Sequence, residues 1–196
     1  SLHCGALVTV VAGVHYMYMR EYWVQVHKSP IVYRYVDWAI TVPLQMIEFN
    51  LILKAAGKRV GVAVFSKFLI GTVMMLLFGY LGEVEALPEF VGFPLGIFGW
   101  LFILFGIIAE EAGGTAGDGS EAVACAFSTM RLIVSIVWSI YPGGFALGWS
   151  RRKASEPYLN VTYNIADLVN IVALVLACWS SPRPMGWSIY PVGFAL

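Results

Sequence analysis

The residues best suited to chemistry lie inside a long apolar segment. Between positions 31 and 53 the sequence is mostly apolar, yet it contains Arg34, Asp37 and Glu48. In a helix, Arg34 and Asp37 are three residues apart and share a face, so they can pair. Asp37 and Glu48 lie about three turns and about 16 Å apart on one face, with Thr41 between them. A desolvated carboxylate can hold a proton, so this spacing predicts a proton relay across an apolar layer.

Two further titratable residues lie in apolar segments, His15 in the first and Asp167 in the last. The competing interpretation is that Arg34, Asp37 and Asp167 form one buried ion cluster that only fixes helix packing. A single histidine on an apolar face is also more often a packed core residue than a functional one. The spacing of these residues leaves both interpretations open.

The elements that must position these residues are membrane-spanning helices. The mean hydropathy is +0.76, and charged residues make up 12% of the chain, about half of the share in a soluble domain. Apolar runs long enough to cross a bilayer fall at 5–26, 31–53, 60–82, 87–109, 122–149 and 158–181. Because lipid offers the backbone no hydrogen-bond partners, we predict an all-α integral membrane protein, with six spans in residues 1–181.

Composition also excludes several classes of site and partner. The three cysteines are too few and too scattered for a disulfide framework or a zinc site, and we expect no bound metal. A net charge of zero gives no indication of a nucleic-acid partner. The lipid bilayer is the first partner that the sequence predicts.

Residues 182–196 are predicted to form a C-terminal tail outside the bundle. The segment Trp187–Leu196 repeats Trp138–Leu147 of the fifth span with one difference. Ten helical residues extend about 15 Å, half of a bilayer core, so the second copy cannot be a further span. A partial duplication and an interfacial or docking segment are the two interpretations.

Six motifs resemble the proteorhodopsin and xanthorhodopsin group of microbial rhodopsins. They are His15–Arg20, Tyr33–Trp38, Thr41–Leu44, Phe78–Glu83, Trp138–Pro142 and Tyr163–Asn170. The similarity extends from Ser1 to about Trp179 and implies a rhodopsin-like bundle with six of the usual seven transmembrane helices. The chain begins with what resembles the second helix of the family.

The resemblance implies a role for each residue of the polar face. Asp37 matches the primary proton acceptor and counterion of the retinal Schiff base, and Glu48 matches the cytoplasmic proton donor. Thr41 completes the acid–threonine–acid triplet typical of outward proton pumps. Arg34 matches the arginine beside the Schiff base, and Asp167 matches the second counterion.

The resemblance also implies a retinal pocket. Its residues would be Trp38, Gln45, Met75, Trp100, Trp138, Tyr141 and Pro142. His15 matches the histidine that bonds the proton acceptor, and a glutamine at position 45 resembles the blue-absorbing variants. Phe93 stands where a glycine would open a slot for an antenna carotenoid, so we expect no such carotenoid.

One position departs from the family. The motif that ends at Asn170 is followed in the family by the lysine that forms the retinal Schiff base, whereas this chain has Ile171. The similarity continues without a gap to Trp179, which indicates a substitution rather than a shifted register. We therefore expect no covalently bound cofactor.

These features leave three hypotheses, none of which makes the chain an enzyme. The first is a rhodopsin-like protein without covalent retinal that serves as a non-photochemical accessory subunit, with other membrane subunits or copies of itself as partners. The second is a light-driven outward proton pump, in which Ile171 and the missing helix reflect a partial or faulty sequence. The third is a non-covalent binder of retinal, another apolar pigment or lipid. All three require a multi-pass membrane protein, and the sequence does not identify the membrane.

Overall fold

The computed structural model describes residues 2–55, 62–112, 121–150 and 156–180. Throughout these ranges the chain forms helices joined by short turns. The elements are α1 (Leu2–Val26), α2 (Ile31–Ala55), α3 (Val62–Glu83), α4 (Glu89–Ala112), α5 (Glu121–Leu132), a π-helical turn (Ile133–Val137), α6 (Ile140–Ser150) and α7 (Glu156–Ser180). The all-helical fold is confirmed. Five of the predicted spans each correspond to one helix within a few residues of the expected bounds, and the fifth span in chain order corresponds to α5, the π-helical turn and α6 together. The repeated tail lies outside the described residues.

Five helical segments in the described ranges are apolar and long enough to cross a membrane. They are Ile31–Lys54, Val62–Glu83, Glu89–Ile108, Ala124–Ala146 and Pro157–Ala177. Helix α1 has the length of a span, 25 residues, but is not one of these five. It packs against α2 and α7, the two helices that carry most of the polar residues predicted above.

Polar residues lie inside the bundle and apolar residues cover its outside. Arg34, Gln45 and Glu48 are each 1% exposed, whereas Met17 and Phe105 are 75% and 72% exposed. A soluble protein would show the opposite distribution, since charged side chains are almost never fully buried in it unless paired. Lipid as the surrounding solvent accounts for this arrangement, because it accommodates apolar side chains and excludes charged ones.

Helices α3 and α4 pack closely along a seam of glycines. A Cβ atom added at Gly99 would lie 2.6 Å from the backbone N of Met75 and 2.8 Å from the carbonyl O of Gly71. At Gly92 it would lie 2.7 Å from the Cα of Gly82. Small residues permit this close backbone approach, which is the usual source of helix association in lipid.

The fifth span is interrupted by a π-helical turn. The Trp138 N–H bonds to the carbonyl O of Ile133 at 3.0 Å, one residue further back than in an α-helix. The carbonyl O of Val134 instead accepts the Trp100 indole N–H from α4 at 2.8 Å. The turn therefore ties the fifth span to α4 and sets the direction of Trp138, which follows it.

Candidate functional site

Asp167 on α7 accepts four side-chain hydrogen bonds inside the bundle. Its Oδ1 accepts from the Trp38 indole at 3.0 Å and from the Tyr141 hydroxyl at 2.6 Å. Its Oδ2 accepts from Arg34 Nη1 at 3.0 Å and from the Tyr16 hydroxyl. Both carboxylate oxygens are satisfied and a cation balances the charge, so this buried anion is stable where it lies.

Arg34 on α2 is held by α7. Its Nη2 donates to Asn160 Oδ1 at 2.9 Å and to Asn164 Oδ1 at 3.0 Å, while the guanidinium carbon lies 5.3 Å from the centroid of the Tyr163 ring. The predicted pairing of Arg34 with Asp37 on the same helix face is wrong. The salt bridge of Arg34 in the described chain is to Asp167, because α7 presents a carboxylate and two amides directly opposite the guanidinium fork.

Asp37 is buried at 3% exposure but is poorly supplied with donors. His15 Nδ1 lies 3.3 Å from Asp37 Oδ1 and also 2.9 Å from the carbonyl O of Val11. The Thr41 hydroxyl donates to the backbone carbonyl of Asp37 at 2.9 Å and not to its side chain. Asp37 Oδ1 is left without a hydrogen bond of good geometry. The predicted approach of His15 to Asp37 is thus present, as is the convergence of Arg34 and Asp37 on the α7 face that carries Asp167.

Glu48 lies on the same helix, three turns beyond Asp37, and is 1% exposed. The helix continues unbroken through this stretch, with Pro43 inside it. Thr41 and Gln45 occupy the intervening turns and are buried as well. The path between the two acids is therefore lined by polar side chains, and its use as a proton relay stays a prediction.

A cavity of ≈ 120 Å³ lies beside this polar cluster, between α2, α3, α4, the fifth span and α7. Most of the predicted pocket residues line it, namely Trp38, Met75, Trp100, Trp138, Tyr141 and Pro142. Phe93 also lines it and stacks on Phe145 with ring centroids 5.3 Å apart. At one end the cavity reaches Glu83, whose carboxylate interacts with the hydroxyls of Tyr35 and Tyr163. Aromatic walls of this kind suit a long apolar ligand.

Gln45, the remaining predicted pocket residue, lines a separate small cavity of ≈ 10 Å³ together with Ile171, the residue in the place of the Schiff-base lysine. Its walls also include Asp37, Thr41 and Asp167. Ile171 therefore faces the carboxylates rather than the large cavity, since its position on α7 follows that of Asp167 by about one helical turn.

The residues of the site are compatible with the apolar chain of retinal but not with its covalent attachment. The aromatic cavity suits an apolar polyene, and the polar cluster beside it contains two buried carboxylates. Covalent attachment needs a primary amine, and the side chain of Ile171 has none. Helix α7 contains no lysine anywhere between Glu156 and Ser180. The site accordingly fits retinal as a non-covalent ligand and does not fit a retinal Schiff base.

Several residues of the polar cluster were not predicted from the sequence. Tyr16 follows His15 directly, and Asn160 and Asn164 precede Asp167 on α7. The spacing of Asn160, Asn164 and Asp167 places them on one helix face, so a search for polar stripes would have found the two amides. Tyr16 carries no such signal, because its contact with Asp167 joins residues 151 positions apart.

Comparison with known proteins is consistent with this geometry. Residues 2–182 match the family model described as "Bacteriorhodopsin-like protein". The chain is 39% identical over 181 residues to the green-light absorbing proteorhodopsin of Gamma-proteobacterium EBAC31A08, covering 92% of this chain and 72% of that protein. It is 38% identical over 182 residues to the blue-light absorbing proteorhodopsin of Gamma-proteobacterium Hot 75m4, with the same coverage of 92% and 72%.

A solved structure gives the same result. The chain superposes on the crystal structure of the blue light-absorbing proteorhodopsin from Med12 with a TM-score of 0.78 and 40% sequence identity. The match covers 91% of this chain and 79% of that one. The chain therefore belongs to the bacteriorhodopsin-like family and is an integral, multi-pass membrane protein similar to the proteorhodopsins.

Proposed function

We propose that this chain carries the proton-transfer site of a retinal-dependent, light-driven outward proton pump, and that residue 171 decides whether the site is used. The observation that supports the proposal is the pair of buried carboxylates beside an aromatic cavity, Asp37 near His15 and Asp167 bonded to Arg34. Similarity to the proteorhodopsins extends over most of the chain.

Each residue of the site has a part in this function. When bound, retinal would supply the light-dependent isomerisation, whereas the nitrogen that carries the transported proton would have to come from an amine at position 171, which Ile171 does not provide. Asp37 accepts a proton at its poorly bonded carboxylate, and Glu48 holds a proton on the other side of the apolar layer. Arg34 and Asp167 form a fixed ion pair that keeps the polar cluster in place. Trp38 and Tyr141 support Asp167 and also shape the cavity.

The accessory-subunit hypothesis receives less support from the site. A helix that served only for packing would not need buried Thr41, Gln45 and Glu48 on the face that continues from Asp37. Polar residues in a membrane helix are expensive, and their burial along one path favours transport. Ile171 favours a second candidate, the non-covalent binding of retinal or another apolar pigment in the retained cavity.

The experiment that tests the proposal adds the missing amine. Ile171→Lys, mixed with all-trans-retinal, is expected to form a visible absorption band that hydroxylamine bleaches. Vesicles containing it are expected to show a light-dependent pH change that a protonophore abolishes. Ile171→Met, a side chain of similar length without an amine, is the matched control and should form no hydroxylamine-sensitive band, like the unaltered chain.

The same background separates pigment formation from transport. Asp37→Asn combined with Ile171→Lys should keep the band, at a shifted wavelength, and lose the pH change. A pigment in Ile171→Lys that drives no pH change would disprove the transport proposal. A hydroxylamine-sensitive band in the unaltered chain would disprove the role given to residue 171.

A further inference from the structure

We infer that the two cavities together form a binding site for a lipophilic primary ammonium ion, with its charged head beside Asp37 and its apolar chain in the large cavity. The ligand class follows from the chain's own residues and does not depend on light-driven transport. The proposed ligand differs from a neutral pigment, because the small cavity selects a positively charged group that donates hydrogen bonds.

The charges inside the bundle are unevenly matched. Asp167 has four donors, one of which is the guanidinium of Arg34. The contact of Asp37 Oδ1 is with His15 Nδ1, at 3.3 Å. When Nδ1 carries a hydrogen, that single hydrogen is donated to the carbonyl O of Val11 and not to Asp37. A buried carboxylate oxygen without a well-formed hydrogen bond is unfavourable. The cluster therefore attracts one further cation to the Asp37 side.

The small cavity offers an ammonium group the acceptors that it needs. Asp37 Oδ1 and both amide atoms of Gln45 are buried and have no hydrogen-bond partner, and both residues line the cavity with Thr41. An ammonium has three donors and no acceptor, and Asp37 Oδ1, Gln45 Oε1 and Thr41 Oγ1 supply three acceptors. The cavity volume of ≈ 10 Å³ is close to that of one water-sized sphere, about 10–15 Å³, which is the space that an NH₃⁺ head requires.

The apolar part of the ligand has its own place next to the head. Trp38 and Asn170 line both cavities, so the two spaces adjoin each other. The large cavity continues from Trp38 along Trp138 and Tyr141, and its walls are mainly apolar.

Ile171 forms an uncharged wall of the proposed site. Its side chain closes one wall of the small cavity with apolar atoms and brings no charge of its own. A lysine at this position would place an ammonium into the same space and neutralise Asp37 from within the chain. The ligand's amine and a lysine at 171 are therefore mutually exclusive occupants.

The test measures binding of octylammonium to the purified, unaltered chain in lipid nanodiscs by calorimetry and by the thermal unfolding midpoint. Octan-1-ol has the same chain without charge, and octyltrimethylammonium has the charge without N–H donors. We expect saturable binding of octylammonium and at least about tenfold weaker binding of both controls, since hydrogen bonds to a charged group provide discrimination of this size.

Variants locate the head of the ligand. Asp37→Asn should weaken octylammonium at least about tenfold, and Ile171→Lys should abolish the binding. Glu85→Gln, at an exposed acid outside both cavities, should leave it unchanged. Equal affinities for octylammonium and octan-1-ol, or unchanged binding in both Asp37→Asn and Ile171→Lys, would overturn the inference and indicate partition into lipid only. Light-driven transport by Ile171→Lys with retinal is a separate measurement, so either proposal can fail alone.

Discussion

Arg34 ties α2 to α7 in the interior of this protein through its guanidinium. Three of its hydrogen bonds reach α7, one to Asp167 and two to asparagines. Because Asp167 is buried, the removal of its cation leaves an uncompensated charge, whereas the removal of both charges leaves a polar but neutral contact. The effect of a substitution at Arg34 therefore depends on whether Asp167 keeps its charge.

We expect Arg34→Gln to lower the free energy of unfolding by about 3–5 kcal/mol, the usual loss when one member of a buried ion pair is removed. Unfolding by sodium dodecyl sulfate in mixed micelles measures the change. Arg20→Gln, at an exposed position of α1, is the control and should have little effect. Arg34→Gln combined with Asp167→Asn should recover part of the loss. A double variant as unstable as the sum of both single ones would contradict the pairing.

At the scale of helices, two contacts of α4 determine how the walls of the large cavity meet. The glycine seam brings α4 against α3, and the Trp100 indole ties α4 to the carbonyl that the π-helical turn leaves free. Both contacts involve backbone atoms. A change of side-chain rotamer therefore cannot compensate for a substitution at either contact.

Gly99→Ala should destabilise the protein by about 1–3 kcal/mol, the range for overpacking, because its methyl group would meet the backbone of α3. Gly13→Ala is the matched control, since nothing lies within 4 Å of its added Cβ. This control should be neutral or stabilising by about 0.5–1 kcal/mol, the helix-propensity difference. Equal effects of the two alanines in the same unfolding measurement would refute the close seam.

Trp100→Phe keeps an aromatic ring in the cavity wall but removes the donor to Val134. The free carbonyl should lower stability by about 1–3 kcal/mol, the desolvation penalty of an unsatisfied buried group. Trp179→Phe, at a side chain 71% exposed, provides the comparison and should change stability little. The unfolding curves of the two variants measured side by side decide whether the indole bond contributes.

The whole molecule is arranged for lipid as its surroundings. Large apolar side chains cover the outside, and the interior combines an aromatic cluster with charged groups. An exposed phenylalanine in lipid has as many apolar neighbours outside as inside, so its loss creates no cavity in the protein.

Phe105→Ala, at a side chain 72% exposed, should therefore change the free energy of unfolding in bicelles only slightly. Phe68→Ala, at a side chain that is fully buried against Phe49, should lower it by about 3–5 kcal/mol. Loss of stability in Phe105→Ala comparable with that in Phe68→Ala would show that Phe105 is covered by protein instead of lipid.

Assembly with other membrane subunits or with copies of this chain stays a prediction. Native mass spectrometry of the protein extracted with its surrounding lipid measures the mass of the assembly directly. A mass equal to one chain at all protein concentrations would contradict the expected partner.

Sequence alone determined the helical elements of this protein and predicted part of its candidate site. Apolar length predicts membrane helices because lipid leaves the backbone no other structure. The charges on α2 stand out for the same reason, since each is expensive in an apolar layer. The motif resemblance supplied the expected roles of Asp37, Asp167 and His15, which stay predictions, and the substitution at position 171 was readable directly.

Only the tertiary structure decided which charges pair and where the empty space lies. Spacing along α2 predicts a pair between Arg34 and Asp37, but α7 presents a better set of acceptors to the guanidinium. Contacts between helices that are more than a hundred residues apart in the chain leave no trace in local spacing. The division into an aromatic cavity and a small polar one is equally non-local, since five segments of the chain contribute walls to the former. Ile171 was visible in the sequence as an absent amine. The bundle shows that its side chain closes the cavity beside Asp37, because packing of α7 against α1 directs it there.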